Sequence, residues 1–257
     1  MCLSLAPLGA WQQPLPLDQV LPRIQQNVAQ FVESLPDFVS NEKIISSKLS
    51  KGQAVKNSTA ESLFVGIQKR SSEGGWHFVE TREVITQDGK ASKKGAHVQG
   101  PFILNGGFGG AVNSTFHADV AQYRNYRLET SEALNGKSMI VIGFSTKKGQ
   151  DNIRAAYGRS GFIQKDSGKA WVDPDSMQIA RLDYTISNTP GRYPIWYVSV
   201  EYGPAVIGGK TFWMPKNVRS ELRRTTAEEP VARFLAEYSN YRKFDVSSGI
   251  VESHNPE

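Results

Sequence analysis

The feature of this sequence that most restricts its fold is an abrupt change in hydrophobic periodicity near residue 36. Before this point, apolar residues recur with the three- and four-residue spacing of an amphipathic helix. After it, apolar and polar residues alternate in short segments separated by glycine, proline, asparagine and aspartate. One helix followed by a long series of strands and turns is typical of a mainly antiparallel β protein.

The helix is predicted over Leu17–Leu35, with one apolar stripe along its length. Pro36 ends it, because a residue that precedes proline avoids helical backbone angles. An apolar stripe needs an apolar surface, and we expect this surface to be the concave face of the sheet. The residues of the stripe are Leu17, Val20, Leu21, Ile24, Val28, Phe31, Val32 and Leu35.

About ten or eleven strands are predicted after the helix, mostly antiparallel because tight turns join them. The strongest hairpin signal is Asn135-Gly136, between the segments Tyr126–Ala133 and Lys137–Ser145. Within Met177–Ser187 the apolar residues change from one face of the strand to the other, so we expect a β-bulge near Ala180. The other predicted strands are Phe38–Leu49, Ser62–Lys69, Trp76–Ile85, Lys169–Val172, Trp196–Tyr202, Thr211–Met214, Val218–Thr225 and Val231–Phe244.

A glycine-rich segment in the middle of the chain interrupts the strands. Glycines at 106, 107, 109 and 110 precede a helical spacing of Phe108, Val112 and Phe116, which predicts a short helix. A sheet of this size curls and needs a cover on its concave side. We therefore predict an open half-barrel with a long N-terminal helix and a short helical plug.

Residues 17–246 are predicted to form a single domain between two flexible ends. Residues 1–16 are interpreted as the remnant of a signal peptide and a leader, because Met1–Ala10 is apolar and rich in small residues. A disordered N-terminus without a targeting role is the alternative. The polar tail 247–257 is predicted to be flexible. Export to the periplasm or the cell envelope is the expectation.

The chain shows little sign of enzymatic chemistry. The net charge is +5, and the basic residues are scattered along the chain. Nucleic-acid binding needs a concentrated basic patch and is therefore not expected. The only contact that we expect from this charge is with the periphery of a membrane. A single cysteine excludes a disulfide within the chain. The four histidines lack the spacing of metal ligands. We predict no cofactor, no metal and no catalytic residue, and a hydrolase is the least favoured function.

Several segments, in this order, resemble a known fold. They are Leu35-Pro36-Asp37-Phe38, Gly107-Phe108-Gly109 with Phe116, Leu134-Asn135-Gly136-Lys137, Trp171–Ser176 with Ile179–Leu182, and Gly208-Gly209-Lys210 through Met214-Pro215. Together, over residues 20 to 245, they resemble the periplasmic lipoprotein-carrier (LolA-like) fold of outer-membrane lipoprotein sorting. More specifically, the chain resembles a set of exported bacterial proteins of uncharacterised function with that fold. The resemblance implies a concave apolar face that holds acyl chains.

Two functions follow from this resemblance and from the apolar residues. The first is an exported carrier or sensor that binds a lipid, an acyl chain or a lipidated polypeptide in a concave cavity. The second is a non-catalytic protein-binding module of the envelope, in which the same residues fill an ordinary core. The oligomeric state stays open. The candidate cavity or lid residues are Phe108, Phe116, Ile140, Ile142, Phe144, Trp196 and Val198.

Overall fold

The structure is a computed structural model that describes residues 15–70, 76–104, 110–148, 165–187, 195–224 and 229–244. The leader up to residue 14, the segment 105–109 with Phe108, and the tail 247–257 lie outside these residues. The described helices are α1 (Leu17–Ser34), α2 (Gly110–Phe116) and α3 (Ala118–Ala121). The described strands are β1 (Phe38–Ser50), β2 (Gln53–Arg70), β3 (Trp76–Gln87), β4 (Lys90–Ala91), β5 (Arg124–Leu128), β6 (Glu132–Leu134), β7 (Lys137–Thr146), β8 (Lys165–Val172), β9 (Ile179–Ser187), β10 (Ile195–Ile207), β11 (Lys210–Arg223) and β12 (Ala232–Lys243).

These twelve strands form one open antiparallel sheet, which confirms the predicted fold class. Their order is β4-β3-β2-β1-β12-β11-β10-β9-β8-β7-β5, and β6 pairs with β7. The sheet is a meander on either side of one long-range pairing, in which the first strand lies beside the last. The two helical segments α2 and α3 therefore lie between β4 and β5, which are opposite edges of the sheet.

Helix α1 ends one residue earlier than predicted. Leu35 has an extended backbone, as expected before Pro36, and its N–H donates to the carbonyl of Phe31. Val20, Ile24 and Val28 are buried in the main core, which confirms that the apolar stripe packs on the sheet. We call the sheet face that α1 and α2 cover the inner face, and the opposite one the outer face.

The tight turns follow the expected residue chemistry. Asn135 and Gly136 both have positive φ angles, 53° and 80°, between β6 and β7. Asp88 and Gly89 form the same kind of turn with φ angles of 49° and 75°. Asparagine, aspartate and glycine tolerate these angles, which match the twist of the flanking strands. The predicted bulge is also present, since Ala180 is the extra residue between the pairs Trp171↔Arg181 and Val172↔Ile179.

Several predicted strand boundaries were wrong, including those of β8 and β10, which are longer than predicted. The segment Tyr126–Ala133 is divided between β5 and β6, and the predicted strands Thr211–Met214 and Val218–Thr225 are one strand, β11, with a bulge at Lys216. Strand β2 begins at Gln53 rather than Ser62, because its first half is polar and lacks a clear apolar alternation. With the short strands β4 and β6, the count becomes twelve instead of ten or eleven.

Candidate functional site

The inner face is covered by two parts of the chain that lie far apart in sequence. Helix α1 contributes the buried residues Ile24 and Val28. Its Asn27 side chain donates to the carbonyls of Ser176 and Met177, at 3.0 and 2.9 Å, and so attaches the helix to the turn before β9. The second part is the segment 99–104 together with α2. We call this second part the strap.

The strap is attached to the sheet at its first end by side-chain hydrogen bonds. The hydroxyl of Ser46 on β1 donates to the carbonyl of Phe102 at 2.6 Å and accepts from its N–H at 2.9 Å. The Phe102 ring then packs edge-on against Trp196 and Phe234, with ring centroids 6.1 and 6.5 Å apart. Phe102 thus connects the strap to β10 and β12 in the middle of the sheet.

The C-terminal end of α2 is held by β5. Arg124 Nη2 donates to the carbonyl of Ser114 at 2.9 Å, and the Tyr126 hydroxyl donates to that of Thr115 at 2.5 Å. Burial raises the pKa of Tyr126 to about 12, so this hydroxyl keeps its proton. The Phe116 ring is fully buried between Tyr126 and Phe144, at 5.5 and 5.9 Å between centroids.

A buried charged cluster lies under the strap. The Glu42 carboxylate on β1 is fully buried, and it accepts hydrogen bonds from Arg82 Nε and Nη2 at 2.7 and 2.8 Å. It also accepts from the hydroxyls of Ser62 and Tyr238, at 2.6 and 2.7 Å. Arg82 Nη1 donates to the carbonyl of Leu104 at 3.0 Å. The cluster therefore connects four strands of the sheet, β1, β2, β3 and β12, with the strap.

The charged state of this cluster follows from its contacts. Burial alone would lower the pKa of Arg82, but the hydrogen bond and the charge of Glu42 outweigh burial, and the pKa is raised. Burial, with the Glu42 charge as the second cause, raises the pKa of Tyr238 well above its ordinary value. Tyr238 is therefore a hydrogen-bond donor, and Arg82 is a permanent cation that is paired with Glu42 on the inner face.

The space between α1 and the sheet is nearly filled. A pocket of about 20 Å³ lies between Ile24 and Val28 of α1, Val112 of α2, and the sheet residues Tyr202 and Trp213. This volume is close to that of a single water-sized probe and far below that of a small-molecule site, which is at least about 300 Å³. In this conformation an acyl chain enters only if α1 or the strap moves.

The structure places the predicted cavity and lid residues as follows. Phe116, Ile142, Phe144 and Val198 are buried in the main core, and of these Phe116 and Phe144 are in ring contact. Ile140 and Trp196 are half-buried against the same core. Phe108 lies outside the described residues. Whether any of these residues contacts a ligand stays a prediction.

Sequence reasoning missed the residues that attach the strap. Glu42 and Ser46 lie on the same side of β1 as the buried Ile44, and Arg82 shares a side of β3 with the buried Val84. A charged residue at the inward parity of a strand costs free energy unless it has a partner. The inward charges of Glu42 and Arg82 were therefore a signal available in the sequence.

The outer face carries structural ion pairs. Glu221 accepts from Arg219, Arg223 and Arg233, and Asp183 from Arg181 and Tyr197. Among the described residues, no group of three or more His, Cys, Asp or Glu side chains is placed to hold a metal ion. None of the three described helices is both long enough and apolar enough to cross a membrane.

Comparison with known proteins finds similarity at the level of the fold. No family model and no curated protein matches the sequence. The chain is similar to the structure of a DUF1329 family protein from Desulfovibrio piger, with 13% identity, a TM-score of 0.44, and coverage of 91% of this chain and 95% of that chain. An outer membrane lipoprotein-sorting protein domain from Vibrio parahaemolyticus has 12% identity and a TM-score of 0.43. The match covers 91% of this chain and 95% of that chain.

A LolA superfamily protein from Nitrosomonas europaea gives 14% identity, a TM-score of 0.38, and coverage of 88% of this chain and 94% of that chain. Two of these structures carry the lipoprotein-sorting or LolA name of the group that the sequence resembles. At these identities and TM-scores the similarity describes the fold, and no ligand or partner is transferred from it.

Proposed function

We propose that this protein is an exported, non-enzymatic carrier or sensor that binds a lipid, an acyl chain or a lipidated polypeptide at its inner face. The main observation in support is the way this face is covered. The strap lies over the apolar face and is attached by the side chains of Ser46, Arg82, Arg124 and Tyr126. Such attachments can open without breaking a strand pairing.

The energy balance is compatible with opening by a ligand. Exposing Phe102 and Phe116, which are both buried, costs about 1.5–3 kcal/mol for each side chain. Burying an acyl chain yields about 0.8 kcal/mol for each methylene, so ten methylenes yield roughly 8 kcal/mol before ordering costs. A long acyl chain that replaces the strap on the inner face therefore compensates for the lost contacts.

The permanent cation Arg82 adds a reason for the strap to move as a unit. Its guanidinium joins the Glu42 carboxylate to the Leu104 carbonyl, so a shift of the strap removes a hydrogen bond from a buried charge. This gives two preferred arrangements, closed with the bond intact or open with Arg82 solvated. A carrier needs such a closed state when it holds no ligand.

A non-catalytic binding module remains the second candidate. The filled space beneath α1, about 20 Å³, favours it, because a permanently filled inner face leaves only the surface for binding. The two functions differ in one respect, since a module has no saturable site for an acyl chain.

Binding of 11-(dansylamino)undecanoic acid, followed by its fluorescence, tests the proposal. We expect saturable binding at micromolar probe, and faster binding in Ser46→Ala, which loses both hydrogen bonds to Phe102. Ser50→Ala, at the exposed end of the same strand, is the matched control and should behave like the wild type. Lack of probe binding, together with no lipid in mass spectra of protein purified from membranes, would leave the module as the function.

Export is part of this proposal. Fractionation of the native cells, with detection by an antibody, should recover the protein from the periplasm or the envelope. Recovery from the cytoplasm alone would contradict a role in carrying envelope lipids.

A further inference from the structure

A second cleft lies within the sheet, and none of the described residues of the strap lines it. Strands β11 and β12 pair from Leu222↔Ala232 to Asn217↔Glu237. In the described residues no ladder pair joins them beyond this point, although both strands continue. Between them lies a cleft of about 600 Å³, a volume within the range of small-molecule sites.

The cleft is formed by a β-bulge on each of its two sides. On β11, Lys216 is the extra residue between the pairs Glu201↔Asn217 and Tyr202↔Pro215. On β12, the register against β1 shifts where Asn240 takes a positive φ of 53°. Bulges bend a strand and redirect a side chain, and they are frequent beside functional sites. Two bulges that face each other account for the separation of the strands.

Contacts between the strands border the cleft. The Tyr241 hydroxyl donates to the carbonyl of Pro215 at 2.6 Å and so bridges the two strands. At the tip of the β10–β11 hairpin, Gly208 lies beside the side chain of Lys243. A Cβ atom added to Gly208 would be 3.4 Å from Lys243 Cδ.

The position of Lys216 depends on a glycine. Its side chain lies across Gly203 on β10, where an added Cβ would be 2.3 Å from Lys216 Cε and 2.6 Å from Nζ. Lys43 on β1 lines the same cleft. Among the described residues, neither Lys216 nor Lys43 forms an ion pair. Two available cations thus lie in a cleft that contains one acidic side chain, Glu237.

The rest of the lining is mixed, with Asn217, Ser239 and Asn240 beside apolar residues. Met214 is fully buried at the inner side of the cleft, Ala205 is half-buried, and Val206 is 63% exposed at its rim. An exposed valine beside two unpaired lysines gives the cleft one apolar and one cationic part. This combination is complementary to an amphipathic anion.

We propose that the cleft between β11 and β12 binds a small organic anion with an apolar body, such as a medium-chain carboxylate. Lys216 and Lys43 hold the anionic group, and Ala205 and Val206 contact the apolar part. Of the described cluster under the strap, Tyr238 also lines this cleft, whereas the attachment residues Ser46, Arg82, Arg124 and Tyr126 do not, so the two sites can be tested separately.

Isothermal titration calorimetry with octanoate tests this site. We expect one saturable site in the wild type and at least about tenfold weaker binding in Lys216→Met, which keeps the length of the side chain but removes its charge. Lys48→Met, at an exposed lysine of β1 outside the cleft, is the matched control and should bind as the wild type does. Neutral octan-1-ol should bind at least about tenfold more weakly than octanoate.

A second variant separates loss of the site from loss of the fold. Gly203→Ala displaces only the flexible end of Lys216, so we expect wild-type melting and weaker octanoate binding. Equal octanoate affinity in the wild type and Lys216→Met would overturn the proposal, and would assign any binding to the inner face instead. Equally effective competition by inorganic phosphate would overturn the apolar part of the site.

Discussion

Replacing the two charges under the strap, singly and together, gives the sharpest test of how the inner face is built. The variants are Glu42→Gln, Arg82→Met and the double variant. The Glu42 side chain is 0% exposed and that of Arg82 is 10% exposed, so each single change leaves its former partner as a buried charge. The double variant leaves no net charge at this position.

The expected magnitudes follow from burial and from the hydrogen bonds that are lost. Removing one partner of a buried ion pair costs about 3–5 kcal/mol. Replacing both is far less costly, although the double variant still loses the Arg82 bond to Leu104, worth about 1 kcal/mol. Additive effects would give roughly 6–10 kcal/mol. We expect the double variant to lose no more than about 3 kcal/mol, which is a strong coupling.

Urea unfolding followed by tryptophan fluorescence measures these free energies. Arg219→Met is the control, because Arg219 is 51% exposed and Glu221 keeps two other arginine partners, so its cost should stay below about 1 kcal/mol. Additive single effects, or single effects below about 1 kcal/mol, would show that Glu42 and Arg82 are not coupled as a buried pair. The explanation of the strap attachment would then be wrong as well.

Two further predictions concern stability. Ile24→Asp should lower the melting temperature strongly because it buries an unpaired charge under α1. Gln26→Asp, on the exposed side of α1, should not lower it. Similar melting of the two variants would refute the placement of α1. Burial alone would raise the pKa of Glu221, but its arginine contacts outweigh burial and lower this pKa below 4.5. The stability that Glu221 adds to the fold is therefore complete above pH 4.5. It disappears as the pH falls through the lower folded-state pKa. The wild type should therefore lose melting temperature more steeply than Glu221→Gln between about pH 5 and pH 3, and parallel curves would exclude this role.

The parts of the fold that depend on local physics were predictable from the sequence. The end of α1 follows from Pro36, and the turn Asn135-Gly136 from the φ angles that these residues tolerate. The bulge at Ala180 follows from a parity change within one strand. In each case the decisive interaction lies within a few residues, so its signal is contained in a short segment.

The parts that depend on distant pairing were not predictable in the same way. The first half of β2 is polar and becomes a strand only because β1 lies beside it, as in the pair Ser47↔Asn57. The bulge at Lys216 joins two predicted strands, and it lies beside the cleft that opens against β12. Neither feature produces an apolar pattern, because backbone pairing stabilises polar residues as well as apolar ones.

The strap shows what the sequence does contain about the candidate site. Glu42 on β1 and Arg82 on β3 are charged residues at positions where the strand pattern expects apolar ones. Strand β2 lies between β1 and β3, and its Ser62 completes the cluster. A sheet whose inner face served only as a core would gain stability from apolar residues of similar size at these positions. Their charges are useful only where a third element needs a polar attachment, and Leu104 of the strap provides the acceptor. Charged residues at inward parity on nearby strands therefore indicate where a cover is fastened to such a sheet.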